Sequence, residues 1–434
     1  MTHRTIREWG SVPVGQGERC FTRAEADALL AAARSHPLAN RLGTNVLVDG
    51  GRRLHARQMV GVVAGEGCSL EILPKVDPDS ADGETDGTVR TRLVRMLDVA
   101  LGLDLVAGPA AEMERQDDTL LDVLIRVFAD GLLAQVHRGL PRRYLGCEDD
   151  LPALRGRLDV ARQFTRNAVR PDRLACRFDQ LDPDTPLMRV MTAAVVFLSG
   201  HARSEETQRR LVELRHTLAD IPLVPVARLP WDAVRIDRSN RRWGSLFALA
   251  KLLLKRDWQD IGHEGGAAEG ITLLFPMNDL FEAFIAALAR RALAARGVEV
   301  TSQSGGLFCL GPHTGDHLVR GTLFRTWPDL ILRGRDGRVR AIIDTKWKKL
   351  AADPLAKKHG VAQGDVYQMM AYARLYGCRE LMLLYPAIPG AQDGCRTTFG
   401  MVGGRERLSI AEVDVALDEA DIVGRLGSMV GALL

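Results

Sequence analysis

The stretch WPDLILRGRDGRVRAIIDTKW, residues 327–347, decides the reading of this chain. Two apolar runs, DLILR at 329–333 and VRAII at 339–343, flank GRDG at 334–337, a connection suited to a hairpin. If that turn forms, Asp329 opening the first strand and Asp344 closing the second reach the same end of the pair. Asp344 and Lys346 are two residues apart, so their side chains share one face of an extended segment. Two carboxylates and one ammonium then surround a small volume. D-x-K strings also arise by chance in surface strands. The apolar AII directly before Asp344 gives this one its weight, because a charged pair ending a buried strand needs a reason.

That mixture suits phosphodiester hydrolysis. A hard divalent cation takes oxygen ligands, and Asp329, Asp344 and the backbone carbonyl of Thr345 are candidates to supply them. Bound Mg²⁺ polarises a phosphate, orients water and stabilises charge on the leaving oxygen. Lys346 suits orienting or deprotonating the attacking water, or stabilising transition-state charge, and the sequence leaves these roles open.

Outward from this core, NDLFEAFIAALARRALAARG (278–297) is rich in Ala and Leu and reads as a helix. Glu282, near its start, is a further candidate metal ligand. Asp279 and Glu282 equally have the offset of a helix capping pair, and both readings stand. DVYQMMAYARLYG (365–377) is a second helix, on which Gln368 and Tyr372 share a face. Gln368 is a candidate for contact with phosphate, water or Lys346, and Tyr372 supports it. Asp365 and Gln368 also have the capping offset. Met369, Met370 and Leu375 read as core. With the strand ELMLLYP and a tail holding a short strand and a final helix, residues 241–434 form an α/β domain with a mixed central sheet.

Upstream, residues 1–88 alternate short Val-rich runs with glycines, as a small β-rich domain does. An exposed acidic loop, DPDSADGETDG, follows LEILPKV at 77–87. Residues 89–240 carry helical periodicity and read as a mainly helical region, with the proline-marked IPLVPVARLPWDAV (221–234) as a segment boundary. At 434 residues, two or three domains are expected.

A net charge of +3 does not by itself indicate nucleic acid. Its distribution says more: ten Arg and five acidic residues lie between Arg138 and Arg177. Arg138, Arg142, Arg143, Arg155 and Arg157 are candidates for contact with DNA or with a protein partner. Seven scattered Cys without a CxxC pair fit a reducing compartment. The chain shows neither a membrane-spanning run nor a secretory leader, so a cytoplasmic location is expected. It has no GxxxxGK[ST], HExxH or G-x-S-x-G motif. His313 and His317 resemble a zinc pair only superficially, because Gly and Pro disfavour a helix there.

Several strings together resemble the McrC family, the nuclease component of McrBC-type restriction systems. They are LEILPKV, GLPRRYLGCEDDLPALRGRLD, CRFDQLDPDTPLMRVMTAA, LLFPMNDLFEAFI, WPDLILR, IIDTKWKKL, DVYQMMAYARLYG and LLYP, in that order. The resemblance implies a carboxyl-terminal PD-(D/E)xK endonuclease domain behind partner-engaging regions. Its motif falls on Pro328-Asp329 and Asp344-Thr345-Lys346, with Glu282 as the helical acidic residue and Gln368 and Tyr372 as the following QxxxY pair. It further implies Mg²⁺, with Mn²⁺ as a substitute, as cofactor. The implied partners are an McrB-like AAA+ GTPase, which binds the GTP and recognises modified DNA, and double-stranded DNA itself. One departure is Met188, where relatives often have Asn. Competing readings are a defence nuclease with another partner or target, an adaptor that regulates a motor without cutting, and a DNA-binding module without hydrolysis.

Overall fold

Thr22 and Glu25 start the first helix by reciprocal capping: each side chain accepts the other's backbone N–H. The structure, a computed structural model, describes residues 2–36, 46–75, 85–103, 119–255, 271–303, 305–312, 321–350, 360–387 and 394–434. His313, His317 and most of the acidic loop at 77–87 lie outside the described residues. The chain divides into two compact units, one of residues 1–120 with 267–434 and one of residues 121–266.

The first unit begins with β1 (Thr2–Arg7), β2 (Ser11–Pro13), α1 (Arg23–Arg34), β3 (Leu47–Asp49), β4 (Arg53–Ala56), β5 (Met59–Gly65), β6 (Cys68–Leu73) and α2 (Asp86–Leu101). The β-rich reading of this region holds. On α1, Ala26, Leu29, Leu30 and Ala33 recur at helical spacing and are buried in one cluster with Val63, Leu70 and Ile72 of β5 and β6.

The second unit contains α3 (Leu120–His137), β7 (Arg143–Leu151), β8 (Arg157–Leu158), α4 (Val160–Thr165), β9 (Leu174–Asp182), α5 (Pro186–Ser199), α6 (Glu205–Thr217) and α7 (Gly244–Lys255). Helices dominate, as the spacing predicts, and α5 starts with Thr185 as cap and Pro186 in its first turn. The reading as mainly helical omits a three-stranded antiparallel sheet in the order β7-β9-β8. Met188 is fully buried, and the neighbouring Arg189 forms a two-pronged ion pair with Asp184 at 2.6 Å. The proline-marked segment at 221–234 lies inside this unit.

The first unit resumes with β10 (Leu273–Pro276), α8 (Met277–Leu293), β11 (Glu299–Ser302), β12 (Phe308–Leu310), β13 (Leu323–Arg325), β14 (Leu330–Arg333), β15 (Val339–Thr345), α9 (Gln363–Tyr376), β16 (Glu380–Pro386), β17 (Gly394–Gly400), β18 (Arg407–Val413) and α10 (Glu419–Gly431). Six strands make a mixed sheet in the order β11-β14-β15-β16-β18-β17. β14 and β15 pair antiparallel, while β15, β16 and β18 run parallel. The apolar residues of β14 and β16, and Ala341, Ile342 and Ile343 of β15, are buried, as expected of central strands covered on both faces.

β10 leaves this region to complete another sheet, β1-β6-β5-β10, where it pairs antiparallel with β5. Gly61 permits the approach: its φ is +130°, and a Cβ there would lie 1.9 Å from the Leu273 carbonyl oxygen. Residues near both ends of the sequence therefore belong to one unit. No helix among the described residues is long and apolar enough to cross a membrane.

Candidate active site

The GRDG turn closes the hairpin through Gly334 N–H to the Arg338 carbonyl, 3.0 Å, and Gly337 N–H to the Gly334 carbonyl, 2.9 Å. Leu330 is then in register with Ile343, so Asp329, one residue earlier, faces the end of β15 at Asp344. Oδ2 of Asp329 accepts both the backbone N–H and the hydroxyl of Thr345, at 2.7 and 2.8 Å. These two bonds fix the aspartate across the strand pair and leave its other oxygen outside them.

Asp344 is completely buried. The Lys346 ammonium stands 2.6 Å from Oδ2 as an ion pair, without hydrogen-bond alignment, and Oδ1 has no partner. Lys346 Nζ also donates to Gln368 Oε1 at 3.4 Å, and Gln368 Nε2 donates to the Tyr372 hydroxyl at 2.6 Å. Asp329, Asp344, Lys346, Gln368 and Tyr372 thus meet in one cluster at the end of the hairpin. Tyr372 and Met369 are buried on α9, whereas Met370, read from sequence as core, faces solvent.

Glu282 approaches the cluster from α8. Gln303 joins the two sides: its side-chain amide donates to Glu282 Oε2 at 3.3 Å, and its backbone N–H donates to the Asp329 carbonyl at 3.1 Å. Gln303 has a φ of 48°, a left-handed conformation uncommon for a residue with a side chain and often found at functional sites. Both capping readings fail in the structure. α8 starts after Pro276 and α9 after Ala362, so Glu282 and Gln368 lie past the first turn. Asp365 instead pairs with Lys348 at 2.6 Å.

The electrostatics are those of charge held against burial. Burial, followed by the Asp329 charge, pushes Asp344 up to about 7, with Lys346 opposing. The same two causes push Glu282 up to about 8. Asp329 is raised by burial against its bonds from Thr345. Burial works against the charged form of Lys346, yet the neighbouring Asp344 keeps its pKa above the ordinary value. Burial also raises the Tyr372 phenol.

This donor set fits a hard cation. A fully buried carboxylate oxygen without a partner, at Asp344, is an expensive feature that a cation would satisfy. Among the described residues, no three His, Cys, Asp or Glu side chains converge into a ready cage.

Sequence reasoning missed Gln303, Asn278, Trp347 and Glu8. The backbone N–H of Trp347, next to Lys346, donates to Asn278 Oδ1 at 3.2 Å, and its indole donates to Glu8 Oε1 at 2.7 Å. No periodicity announces such contacts. Arg138, Arg142, Arg143, Arg155 and Arg157 belong to the other compact unit, where all five are exposed. Arg143 and Arg157 lie in β7 and β8, and Arg155 stacks over Phe178 with its guanidinium carbon 4.0 Å from the ring centroid.

A mixed α/β sheet with an acid–lysine cluster at the end of a central hairpin defines the class: an α/β protein with a buried ionisable site. A family model described as McrBC 5-methylcytosine restriction system component matches residues 54–386, and the chain belongs to that family. The fold is similar to a solved structure described as a refined half-complex from a tetradecameric assembly of Thermococcus gammatolerans McrB AAA+ hexamers with bound McrC. The TM-score is 0.75 at 19% identity, covering 100% of each chain. It is also similar to a chain in the cryo-EM structure of the Thermococcus gammatolerans McrBC complex, with a TM-score of 0.56 at 24% identity over 67% of this chain and 88% of that one. No curated protein matches by sequence.

Proposed function

We propose that this chain is the endonuclease subunit of a GTP-dependent, modification-dependent restriction complex. It hydrolyses DNA phosphodiester bonds with Mg²⁺ and stimulates an McrB-like AAA+ GTPase, which binds the GTP. The first unit then carries a PD-(D/E)xK nuclease domain, and the complex works in the cytoplasm on double-stranded, modified DNA. The observation that supports this best is the convergence of Asp329, Asp344 and Lys346, with the Asp344 carboxylate buried and one oxygen unpartnered. Family membership and the likeness to McrC in complex with McrB support the partner.

Asp329, Asp344 and the Thr345 carbonyl would hold the cation, with Glu282 as a further carboxylate. When bound, Mg²⁺ supplies Lewis-acid stabilisation of phosphate charge and a more acidic water. The two Thr345 bonds hold Asp329 in place, so its orientation needs no rearrangement at the moment of reaction. Lys346, held by Asp344 and Gln368, presents an ammonium beside the reacting phosphate, where it orients water and offsets developing negative charge. Tyr372 fixes the Gln368 amide so that its oxygen faces the lysine.

The test combines the full chain with its cognate AAA+ partner, GTP, Mg²⁺ and long DNA, methylated at cytosine or unmethylated. Partner-dependent cleavage of methylated DNA, lost on Asp344→Ala while GTPase stimulation persists, is the expected result. Cleavage without methylation keeps the nuclease and changes the target. An assembled complex with strong GTPase stimulation and no cleavage would make the chain an adaptor and overturn the proposal.

A further inference from the structure

We propose that Glu8 is a positioning residue for the Asp344–Lys346 site, acting through the indole of Trp347; the proposal rests on the nuclease reading above. Glu8 follows β1, and its backbone N–H continues the ladder to the Leu73 carbonyl at 2.8 Å. Its side chain is buried. Oε1 accepts two donors, the Lys75 backbone N–H at 2.9 Å and the Trp347 indole N–H at 2.7 Å, while Oε2 is buried without a partner.

Trp347 is the residue after Lys346. Its ring lies 5.3 Å from Phe281, and its backbone N–H is taken by Asn278. Phe281 and Asn278 both lie on α8, the helix that carries Glu282. Lys346 itself is tied to β16 by its backbone N–H, which donates to the Leu384 carbonyl at 2.9 Å. The chain just beyond the lysine is therefore clamped on the α8 side by packing and an amide. The remaining directional restraint on the indole comes from a carboxylate 339 residues away in sequence.

A purely structural bond is the simpler account, and it has a weakness here. Stability alone gives no reason for a charge at Glu8, since a neutral amide oxygen accepts the same two N–H groups without burying a carboxylate. What the charge adds is a stronger, more directional bond to the indole. That bond fixes the rotation of the Trp347 ring, and through it the backbone that sets the Lys346 Cα. Small displacements at a reacting centre cost far more in rate than in stability: about 1 Å is enough for roughly a hundredfold.

The test follows single-turnover cleavage by the full chain with its AAA+ partner, GTP, Mg²⁺ and cleavable DNA, for the parent, Asp344→Ala, Glu8→Ala, Glu8→Gln and Trp347→Phe. Rates are normalised to folded protein. Glu8→Ala and Trp347→Phe are expected to cleave about tenfold or more slowly, with unchanged half-saturating DNA and Mg²⁺, because only the placement of Lys346 is disturbed. Glu8→Gln keeps an acceptor oxygen but loses the charge, and its rate is expected to fall between those of Glu8→Ala and the parent. Should Glu8→Ala fail to fold, the parental-rate outcome of Trp347→Phe and the rate of Glu8→Gln decide, since the first keeps an aromatic ring while removing the indole N–H with its fused ring and the second changes only the acceptor. Trp347→Phe at the parental rate, or Glu8→Gln as slow as Glu8→Ala in folded protein, overturns the positioning role. If the parent cleaves, Asp344→Ala does not, and both other losses are absent, the nuclease reading stands and only this inference falls. A parent that never cleaves removes both.

Discussion

Asp344→Asn should make the metal-free protein more stable while abolishing cleavage. Asparagine matches the shape of the aspartate without its charge, and Asp344 is completely buried with one oxygen unpartnered. The sign follows from proton linkage. Asp344 is raised from 3.8 to about 7 on folding, so between those values the folded state holds a proton that the unfolded state has released. The parent therefore loses stability as pH rises through that window, and the loss is complete above it. At roughly 1.4 kcal/mol per tenfold change in proton affinity, the ceiling is on the order of 4 kcal/mol. Solvent penetration and relaxation around the ionised group bring the expected gain nearer about 2 kcal/mol, or roughly 5 °C for a unit of this size. The assay is thermal unfolding of parent and variant in chelator at pH 4.5 and pH 8, chosen as about the two ends of the window. The two should nearly coincide at the lower pH and separate at the higher, the variant being more stable. Mg²⁺ should then stabilise the parent by about 1.4 kcal/mol at tenfold excess over its Kd and leave the variant nearly unchanged. A variant less stable than the parent at the higher pH without metal would refute the claim that Asp344 is held against its own desolvation.

Cleavage at low Mg²⁺ should rise from about pH 6 to pH 8, because Asp344 and Glu282, raised to about 7 and about 8, must lose protons to act as ligands. Higher Mg²⁺ should move that profile to lower pH, and a midpoint independent of Mg²⁺ concentration would contradict it. Lys346→Ala should lower the cleavage rate by about 10²–10⁴ while retaining Mg²⁺ binding, measured by calorimetry on the full chain. Gly61→Ala should destabilise the first unit by about 2 kcal/mol or more, because its Cβ would collide with the Leu273 carbonyl at a φ that disfavours alanine. Denaturant unfolding checks this, and a loss under about 0.5 kcal/mol would show that β10 shifts freely.

What the sequence made legible was chemistry confined to one short stretch. The 327–347 hairpin carries both its strand signals and its turn, so pairing across GRDG and the meeting of Asp329 with Asp344 follow from local pattern. Gln368 and Tyr372 were legible for the same reason, being four apart on one helix. Capping pairs defined only by spacing were not, because Pro276 and Ala362 precede helices that begin earlier than the acidic residues suggest. The β7-β9-β8 sheet left little trace: β7 has almost no buried face, and without one no alternation is imposed.

Long-range partners were the other gap. That β10 pairs with β5, or that Glu8 receives the Trp347 indole, is a matter of which surfaces meet after each element has formed. Gly61 and Glu8 are marks such meetings leave, a missing side chain where two backbones touch and a buried carboxylate that receives a distant indole. Both are features that stability alone disfavours at their positions in isolation. Asp344 belongs to the same kind: a charge ending an apolar strand stood out in the sequence because folding gains nothing from it. The residues most informative about function are therefore those whose local cost is highest, and the more distant their compensating partner, the more the structure is needed to find it.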